Sequence, residues 1–537
     1  MPSWQIRARP PRGDLRTLRI VRDADQIAAH CEDAAHFSGG HAAAIALPQD
    51  EAGVADVLRA FSSVLPIGAQ SSLTGGATPM GEVLLATSHL NRIHHADGAH
   101  IRAEPGVTLA ALDEALSRID HYYPPSPTFT GACVGGTIAT NAAGAATFKY
   151  GTTRQWVDAL TVVLATGDVL DIERGQTRAH PDGYFEIHLS SGTVRVPVPG
   201  YRMPSLPKLS AGYFAEPGMD LIDLFIGSEG TLGVVMDATL RLVTPRPWRA
   251  LAFVPFSSRS SALRCAALLR AHSQDAWRSR NTRGLDVSAI EHMDRRAIAL
   301  LRDEGADRQN GLAIPAETDT ALIVTLDLPP GTSAEQAYED IAGADHPDSA
   351  DRPLARFCRV VAETKGTLDD VAIAVPGDRV LTARLVALRE AVPEIVNRRV
   401  GTAKRDVDRR IEKVAGDNVV PVDALDAFLT FCDDEFARRG LEAASWGHVS
   451  DGNLHPNVLP RSYADVENGR AALLSIGREA IRLGGAPLAE HGVGRNRIKQ
   501  QLLRDLYGEA GIEAMRRVKR ALDPQRKLAP GVLFDRN

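Results

Sequence analysis

The chain is 537 residues long, 44% of them hydrophobic, and carries a formal net charge of −6 from 61 basic and 67 acidic residues. At roughly 150 residues per domain that length holds three or four domains, or two large ones, and it buries a sizeable core. Charge of both signs mixed along the chain supplies no basic field for nucleic acid or anionic lipid, and no run reaches the roughly 18 apolar residues that a transmembrane segment needs.

Five cysteines (Cys31, Cys133, Cys265, Cys358 and Cys432) are odd in number, far apart and free of any C-x-x-C pair. They form neither a disulfide framework nor an iron–sulfur ligand set and point to a reducing compartment. The expected location is the cytoplasm, with peripheral attachment to a membrane as the alternative. The opening 19 residues are rich in Arg and Pro, yet Pro10, Pro11 and Asp14 read as a frayed start rather than a targeting segment. Residues 1–42 are expected to form an N-terminal segment.

From residue 43 the pattern is α+β: a strand at 43–48, a helix at 50–61 and a strand at 64–67. The run Gly68-Ala69-Gln70-Ser71-Ser72-Leu73-Thr74-Gly75-Gly76 follows that strand. Its small residues let successive backbone N–H groups approach an anion, as in a diphosphate cradle. It is neither a Walker loop nor the G-x-G-x-x-G fingerprint.

A second cluster runs from Pro124-Pro125-Ser126-Pro127-Thr128 through Thr130-Gly131-Ala132-Cys133-Val134-Gly135-Gly136-Thr137-Ile138-Ala139-Thr140-Asn141 to Gly144, and is poorer in charge than a solvated loop. Residues 178–218 are dense in Pro, Gly and Ser and read as an inserted excursion with an exposed hairpin strand at 194–198. A third cluster follows, Gly227-Ser228-Glu229-Gly230-Thr231-Leu232-Gly233-Val234. Three such clusters in one domain suggest a long ligand such as a dinucleotide.

Thr244-Pro245-Arg246-Pro247 interrupts any strand ladder, so the first domain is expected to span 43–244. Beyond it, strands are predicted at 250–256, 321–328, 357–362 and 443–449, separated by helices such as 260–271. This order suits an antiparallel sheet with helices on one face, over 245–480. Residues 481–537 are predicted as a C-terminal helical segment, with one helix at 498–522 ended by Asp523-Pro524.

Near the C-terminus, Gly447-His448-Val449-Ser450-Asp451-Gly452-Asn453-Leu454-His455-Pro456-Asn457 is answered by Ala489-Glu490-His491-Gly492-Val493-Gly494. With His448 on a strand, Asp451-Gly452 making the turn and His455 on the loop that follows, both imidazoles converge on one ion, and Glu490 supplies a third ligand. Two histidines and one carboxylate leave coordination positions open, as a catalytic metal requires. Zinc is the first choice, with manganese or iron as alternatives. The competing reading is a chance pair of surface histidines beside a turn.

These motifs, with Lys149-Tyr150-Gly151-Thr152-Thr153-Arg154, resemble the FAD domain of the vanillyl-alcohol oxidase and p-cresol methylhydroxylase superfamily. The His448 and Glu490 segments resemble its FAD-linked 2-hydroxyacid dehydrogenase branch, which includes D-lactate and D-2-hydroxyglutarate dehydrogenases and the flavin subunit of glycolate oxidase. The resemblance covers roughly residues 40–535. It implies a two-subdomain FAD domain and a substrate domain with an antiparallel sheet covered by helices. It also implies that the residue 68–76 loop holds the FAD diphosphate, that Ser126, Thr130, Gly131, Gly135, Gly136, Thr140, Asn141 and Gly144 line the cofactor with Gly151, and that Glu229, Gly230, Gly233 and Val234 contact it. Because the first loop lacks His and Cys, the FAD is expected to be non-covalent.

By the same resemblance, Arg389, in Leu388-Arg389-Glu390-Ala391-Val392-Pro393-Glu394, and Lys404 fix the substrate carboxylate, a planar guanidinium being suited to bidentate recognition. A helix-surface ion pair is the alternative for Arg389. Asn457 orients the substrate. His491 takes the hydroxyl proton, or is a fourth metal ligand. The implied reaction is oxidation of a D-2-hydroxy acid, D-lactate-like or D-2-hydroxyglutarate-like, to its 2-oxo acid, with electrons passed to a quinone, a cytochrome or an electron-transfer flavoprotein. An aromatic-alcohol oxidase or alkylglycerone-phosphate synthase type is the alternative within the superfamily, a non-catalytic binder the alternative outside it, and a homodimer is left open. The chain departs from the family at Ser450, where Gly is usual, at Ala529, where Asn is usual, and in two longer stretches, 178–218 and 405–418.

Overall fold

A computed structural model describes residues 2–13, 18–94, 98–125, 127–346 and 352–535. Ser126, expected at the cofactor, lies outside them. The chain divides into two compact units, the first made of Met1–Gly144, Gly151–Thr244 and Leu488–Asn537, the second of Ala145–Tyr150 and Pro245–Pro487. Among the described residues no helix is long and apolar enough to cross a membrane.

In the first unit, strands Ala44–Leu47, Val83–Ala86 and Val64–Ile67 pair in parallel, with Arg19–Val21 antiparallel at one edge. A parallel sheet covered on both faces has no polar side, and every residue of Val83–Ala86 is buried. Helix Glu51–Ala60 is started by Asp50, whose carboxylate accepts from Gly53 N. A second, antiparallel sheet orders His100–Ala103, Val234–Arg241, Val157–Val163 and Val169–Glu173.

The stretch 178–218 does form a hairpin, Tyr184–Leu189 with Gly192–Pro197. Its far end, however, turns inward: Lys208, Ser210, Ala211 and Tyr213 are all buried. The C-terminal helix Arg497–Leu522 is broken at Gly508 (φ 68°, ψ 173°) rather than continuous. Its Leu503, Met515 and Val518 enter the same core as Leu160 and Phe225.

The second unit is built on an antiparallel eight-stranded sheet. Its order is Ala372–Ala374, Trp248–Phe256, Thr320–Leu328, Val287–Met293, Ala443–His448, Asn453–Val458 and Val414–Ala415, with Asn418–Val419 also paired to Asn453–Val458. Strand Val287–Met293 is buried at every position, although its sequence includes Ser288, Glu291 and His292. Residues 357–362, predicted as a strand, lie instead within helix Pro353–Lys365. The buried positions Leu354, Phe357, Cys358 and Val361 follow helical spacing, Pro353 opens the helix and Gly366 (φ 91°) closes it.

His292 sits on that central strand with 1% exposure, and neither ring nitrogen has a hydrogen-bond partner among the described residues. Burial, with the nearby Arg259, brings its pKa down to about 4, against the opposing pull of Asp319. Below the ordinary imidazole pKa only the unfolded chain takes up the proton, so stability is lost as pH falls from about 6.5 toward 4. A His292→Leu variant is expected to lose about 2 kcal/mol less than the parent on acidification to about pH 5, measured from urea unfolding midpoints. Parallel losses in the two proteins would show that His292 is not the group responsible.

Candidate active site

In the first unit, strand Val64–Ile67 feeds the chain into residues 68–76. Gln70 takes a left-handed conformation (φ 50°), and its amide nitrogen bonds His30 O at 2.9 Å and Ala77 O at 2.8 Å, which pins the loop at both ends. The backbone N–H groups of Gln70, Ser71, Ser72 and Leu73 have no partner among the described residues. Four consecutive free donors suit an anion such as a diphosphate. Gly75 (φ 74°) is required by packing, since a Cβ there would lie 2.5 Å from the Phe37 ring.

The second cluster packs against the first, with a Cβ at Gly68 only 3.3 Å from Cys133 Cβ. Gly131 and Gly135 are each closed in, by Phe129 and by Pro105, while a Cβ at Gly136 would meet nothing within 4 Å. Gly151 and Gly230 (φ 76° and 71°) serve turns, and Gly233, ahead of strand residue Val234, abuts Val162. Thr130 O accepts from Ala110 N. Asn141 spends its side chain on protein, donating to Leu209 O and accepting from Arg154 N.

Glu229 also works within the protein. Its N–H donates to Ala139 O at 2.7 Å, which ties the third cluster to the second. Its two carboxylate oxygens accept from Val493 N and Gly494 N, each at 2.8 Å. Burial pushes its pKa up to about 7, opposed by those two donors. The clamped segment requires glycine twice: at Gly492 (φ 75°) a Cβ would lie 2.9 Å from the Glu229 carboxylate, and at Gly494 (φ 56°) 2.3 Å from Thr74 Oγ1. Glu490 and His491 are therefore held in the same unit as the 68–76 loop.

Lys208 was not legible as a site residue. Its side chain is fully buried, and Nζ donates to Glu490 Oε2 at 3.0 Å and Gly144 O at 3.5 Å. Ser210 completes the contact, with its N–H on Leu488 O and its hydroxyl on Thr140 O. His491 Nε2 lies 3.5 Å from Glu490 Oε1 and is 24% exposed.

In the second unit, strand register decides which side chains meet. Glu291 is opposite His448, which is opposite Asn453; Trp446 is opposite His455, and Ala444 opposite Asn457. With a period of two, Glu291, His448, His455 and Asn457 share one face of the sheet. His455 lies on strand Asn453–Val458, not on a loop as expected, because a tight turn at 449–452 sends the chain straight back. Ser450 needs no positive φ: its hydroxyl accepts from Ile290 N at 3.1 Å and stitches the turn to the next strand. The left-handed residue is Gly452 (φ 84°). Ala529 does occupy the left-handed region (φ 43°), where Asn is the better-tolerated residue.

The rings of His448 and His455 stand edge to face, 5.7 Å apart. His448 Nδ1 bonds Glu291 Oε2 at 3.0 Å, and His455 Nδ1 lies 3.8 Å from Asp417 Oδ1. Asn457 donates to His455 O, while its buried Oδ1 has no partner among the described residues. Arg389 Nη2 is 2.7 Å from Glu291 Oε1, an ion pair with a buried strand residue. Burial pushes the Glu291 carboxyl up, but Arg389 and His448 outweigh it and bring it down to about 2.

Lys404 does not join Arg389. Both lie on helix Arg379–Asp406, and from residue 389 to residue 404 the axis advances about 22 Å at about 1.5 Å per residue, too far for one carboxylate. Two other residues of the 405–418 stretch are better placed. Lys413 stands one residue before Val414–Ala415, which pairs with Val458 and Asn457. It has no hydrogen-bond or ion-pair partner among the described residues, and burial brings its pKa down to about 8. Asp417 is buried beside His455. Sequence reasoning set that stretch aside as extra length, and only the charged residues within it hinted otherwise.

The donor set fits a divalent metal. Within the second unit His448, His455 and Asp417, and within the first Glu490 and His491, are side chains whose donor atoms suit such an ion. His448 Nδ1 meets the Glu291 carboxylate, a contact of the kind that orients ligating histidines. Nitrogen and carboxylate donors suit zinc, manganese or iron.

A family model of FAD linked oxidases, C-terminal domain, matches residues 247–533, and one of an FAD binding domain matches residues 42–173. The D-2-hydroxyglutarate dehydrogenase of Xanthomonas citri pv. viticola is 29% identical over 506 residues, 92% of this chain and 89% of that protein. The D-lactate dehydrogenase of Archaeoglobus fulgidus is 27% identical over 471 residues, 86% of this chain and 84% of that one. The solved 4-ethylphenol oxidase from Gulosibacter chungangensis, in complex with isoeugenol, aligns with a TM-score of 0.64 at 15% identity, covering 96% of this chain and 94% of its own, a likeness of fold alone. With its free donor loop, its p-cresol methylhydroxylase-type domain and its helix-covered antiparallel sheet, the chain belongs to the FAD-linked oxidase family and is an FAD-linked oxidoreductase.

Proposed function

We propose that the enzyme oxidises a D-2-hydroxy acid, of the D-lactate or D-2-hydroxyglutarate kind, to the 2-oxo acid. The observation that carries this reading is the single sheet face holding His448, His455, Asn457 and the Glu291–Arg389 pair, which joins metal-ligand chemistry to carboxylate recognition. Relatives named for D-2-hydroxyglutarate and D-lactate support the substrate class.

Bound FAD supplies the acceptor for the hydrogen leaving the α-carbon. His448, His455 and Glu490 would hold a divalent metal, which would supply a Lewis acid for the α-hydroxyl. The free N–H groups at 70–73 hold the diphosphate of non-covalent FAD. Arg389 grips the substrate carboxylate, and Lys413, rather than Lys404, adds the second cation. Asn457 Oδ1 orients the substrate. His491 receives the hydroxyl proton, which a neutral imidazole does well near pH 7.

Anaerobic addition of D-lactate or D-2-hydroxyglutarate should bleach the flavin, and acid precipitation should release the yellow colour from the protein. Bleaching by aromatic alcohols alone would replace this reading with the oxidase type, and colour retained in the pellet would make the flavin covalent.

Replacing His448, His455 or Glu490 by Ala should remove bound metal and turnover while FAD stays, as metal analysis and absorbance will report. Full turnover by metal-free protein would remove the ion from the reaction. His491→Asn should slow flavin reduction by roughly 10²- to 10⁴-fold with metal content unchanged. Loss of metal in that variant would make His491 a ligand, and an unchanged rate would end its role as base. Arg389→Lys keeps the charge but loses the fork, so kcat/KM should fall sharply. Normal kinetics would return Arg389 to a purely structural pairing.

A further inference from the structure

The loop at residues 68–76 is bordered by an N-terminal stretch to which the proposed reaction gives no task. Residues 30–37 follow helix Ala24–Ala28 and belong to the same unit as that loop. Gln70 joins the two. Its side-chain nitrogen is taken by the carbonyls of His30 and Ala77, so Oε1 is the atom that meets His30 Nδ1 at 2.9 Å, and that ring nitrogen carries the proton. A non-glycine residue at φ 50° is uncommon, and here these side-chain bonds hold it. Gln70 O accepts from Ala34 N at 3.0 Å. The C=O and N–H of one trans peptide point in opposite directions, so this bond turns the Ser71 N–H away from residues 30–37. Asp33, 4% exposed, works at the other end of the loop: its Oδ2 accepts from Ala77 N at 3.4 Å, and its own N–H donates to Thr78 Oγ1 at 3.1 Å. Phe37 closes against Gly75.

We propose that residues 30–37 are a strap that holds the 68–76 loop in its anion-binding shape, with His30 and Asp33 as positioning residues for the FAD diphosphate. This rests on the reading of the N–H groups at 70–73 as the diphosphate cradle. Donors fixed before the ligand arrives lose less freedom on binding, so the strap raises affinity for a flavin that carries the diphosphate and leaves a phosphate-free flavin unaffected. A residue needed only for packing would weaken both flavins alike.

The test strips flavin from the full-length protein and titrates it with FAD and with riboflavin, which has no phosphate, following flavin fluorescence. His30→Ala should raise Kd for FAD roughly 3- to 10-fold and Asp33→Ala roughly 10- to 100-fold, with Kd for riboflavin unchanged. His30→Asn, whose side-chain N–H can take the place of Nδ1–H, should restore FAD binding. Unchanged FAD affinity in both alanine variants, an equal loss for the two flavins, or no rescue by Asn would overturn the proposal. Should the alanine variants fail to fold, Gln70→Gly, which reaches positive φ without help but is held there by nothing, should weaken FAD and spare riboflavin. FAD bound by that variant as tightly as by the parent would equally overturn the strap. Parent protein that binds riboflavin as tightly as FAD would sink the cradle reading instead. Amide hydrogen exchange of the flavin-free protein would then still decide the strap: exchange over residues 30–37 and 68–78 should be faster in His30→Ala than in the parent, and equal rates would refute it.

Discussion

The paired acceptance of two neighbouring backbone N–H groups by the Glu229 carboxylate is the contact on which the first unit's chemistry depends. Residues 488–494 have no helix or long strand of their own to hold them, so their course must be imposed from outside. Hydrogen bonds from backbone N–H groups contribute roughly 0.5–1.5 kcal/mol each, so two on one side chain hold a short loop. Lys208 then takes the Glu490 carboxylate from another direction, and Gly494 closes onto Thr74. Glu490, His491 and the 68–76 loop thereby become parts of one rigid neighbourhood.

The second unit solves a different problem, bringing a carboxylate, two imidazoles and an amide to one surface without loops. Strand alternation does this once the register is set, and a slip of one residue would send His448 and His455 to the opposite face. Ser450 bonded to Ile290, and Asn453 bonded to Asp417 at 3.3 Å, lock the hairpin to the strands on either side. Two of the unit's buried carboxylates are each held by two cationic or hydrogen-bonding partners: Glu291 by Arg389 and His448, and Asp327 by Lys149 and Arg249.

Much of the fold was legible because its signals are local. Glycine clusters after strands, the Thr244-Pro245-Arg246-Pro247 break and the long helical patterns each follow from neighbouring residues. The failures have a common physical cause. Val287–Met293 reads as half polar because Glu291 and His292 are buried for reasons supplied by other strands. Residues 357–362 look β-branched, but the helical spacing of their buried positions wins. Lys208, Lys413 and Asp417 gain meaning only from partners far along the chain. Glu229 was marked as a cofactor contact, and its visible partner is backbone at 493–494. The distance from Arg389 to Lys404 could have been read from the sequence by treating that stretch as one helix.

The first unit is discontinuous, and this bears on how the protein is made. Its core contains Leu503, Met515 and Phe534, and Val64 N–H bonds to Lys527 O beside the parallel strands. A ribosome adding roughly 5–20 residues per second must therefore produce all of 245–487 before the first unit can close, a delay of about 10–50 seconds. During that interval the apolar strands around Val64 and Val83 lack their last covering residues. A nascent chain of this protein presents chaperones with a waiting N-terminal half, while the intervening unit, contiguous apart from the short 145–150 segment, can fold first.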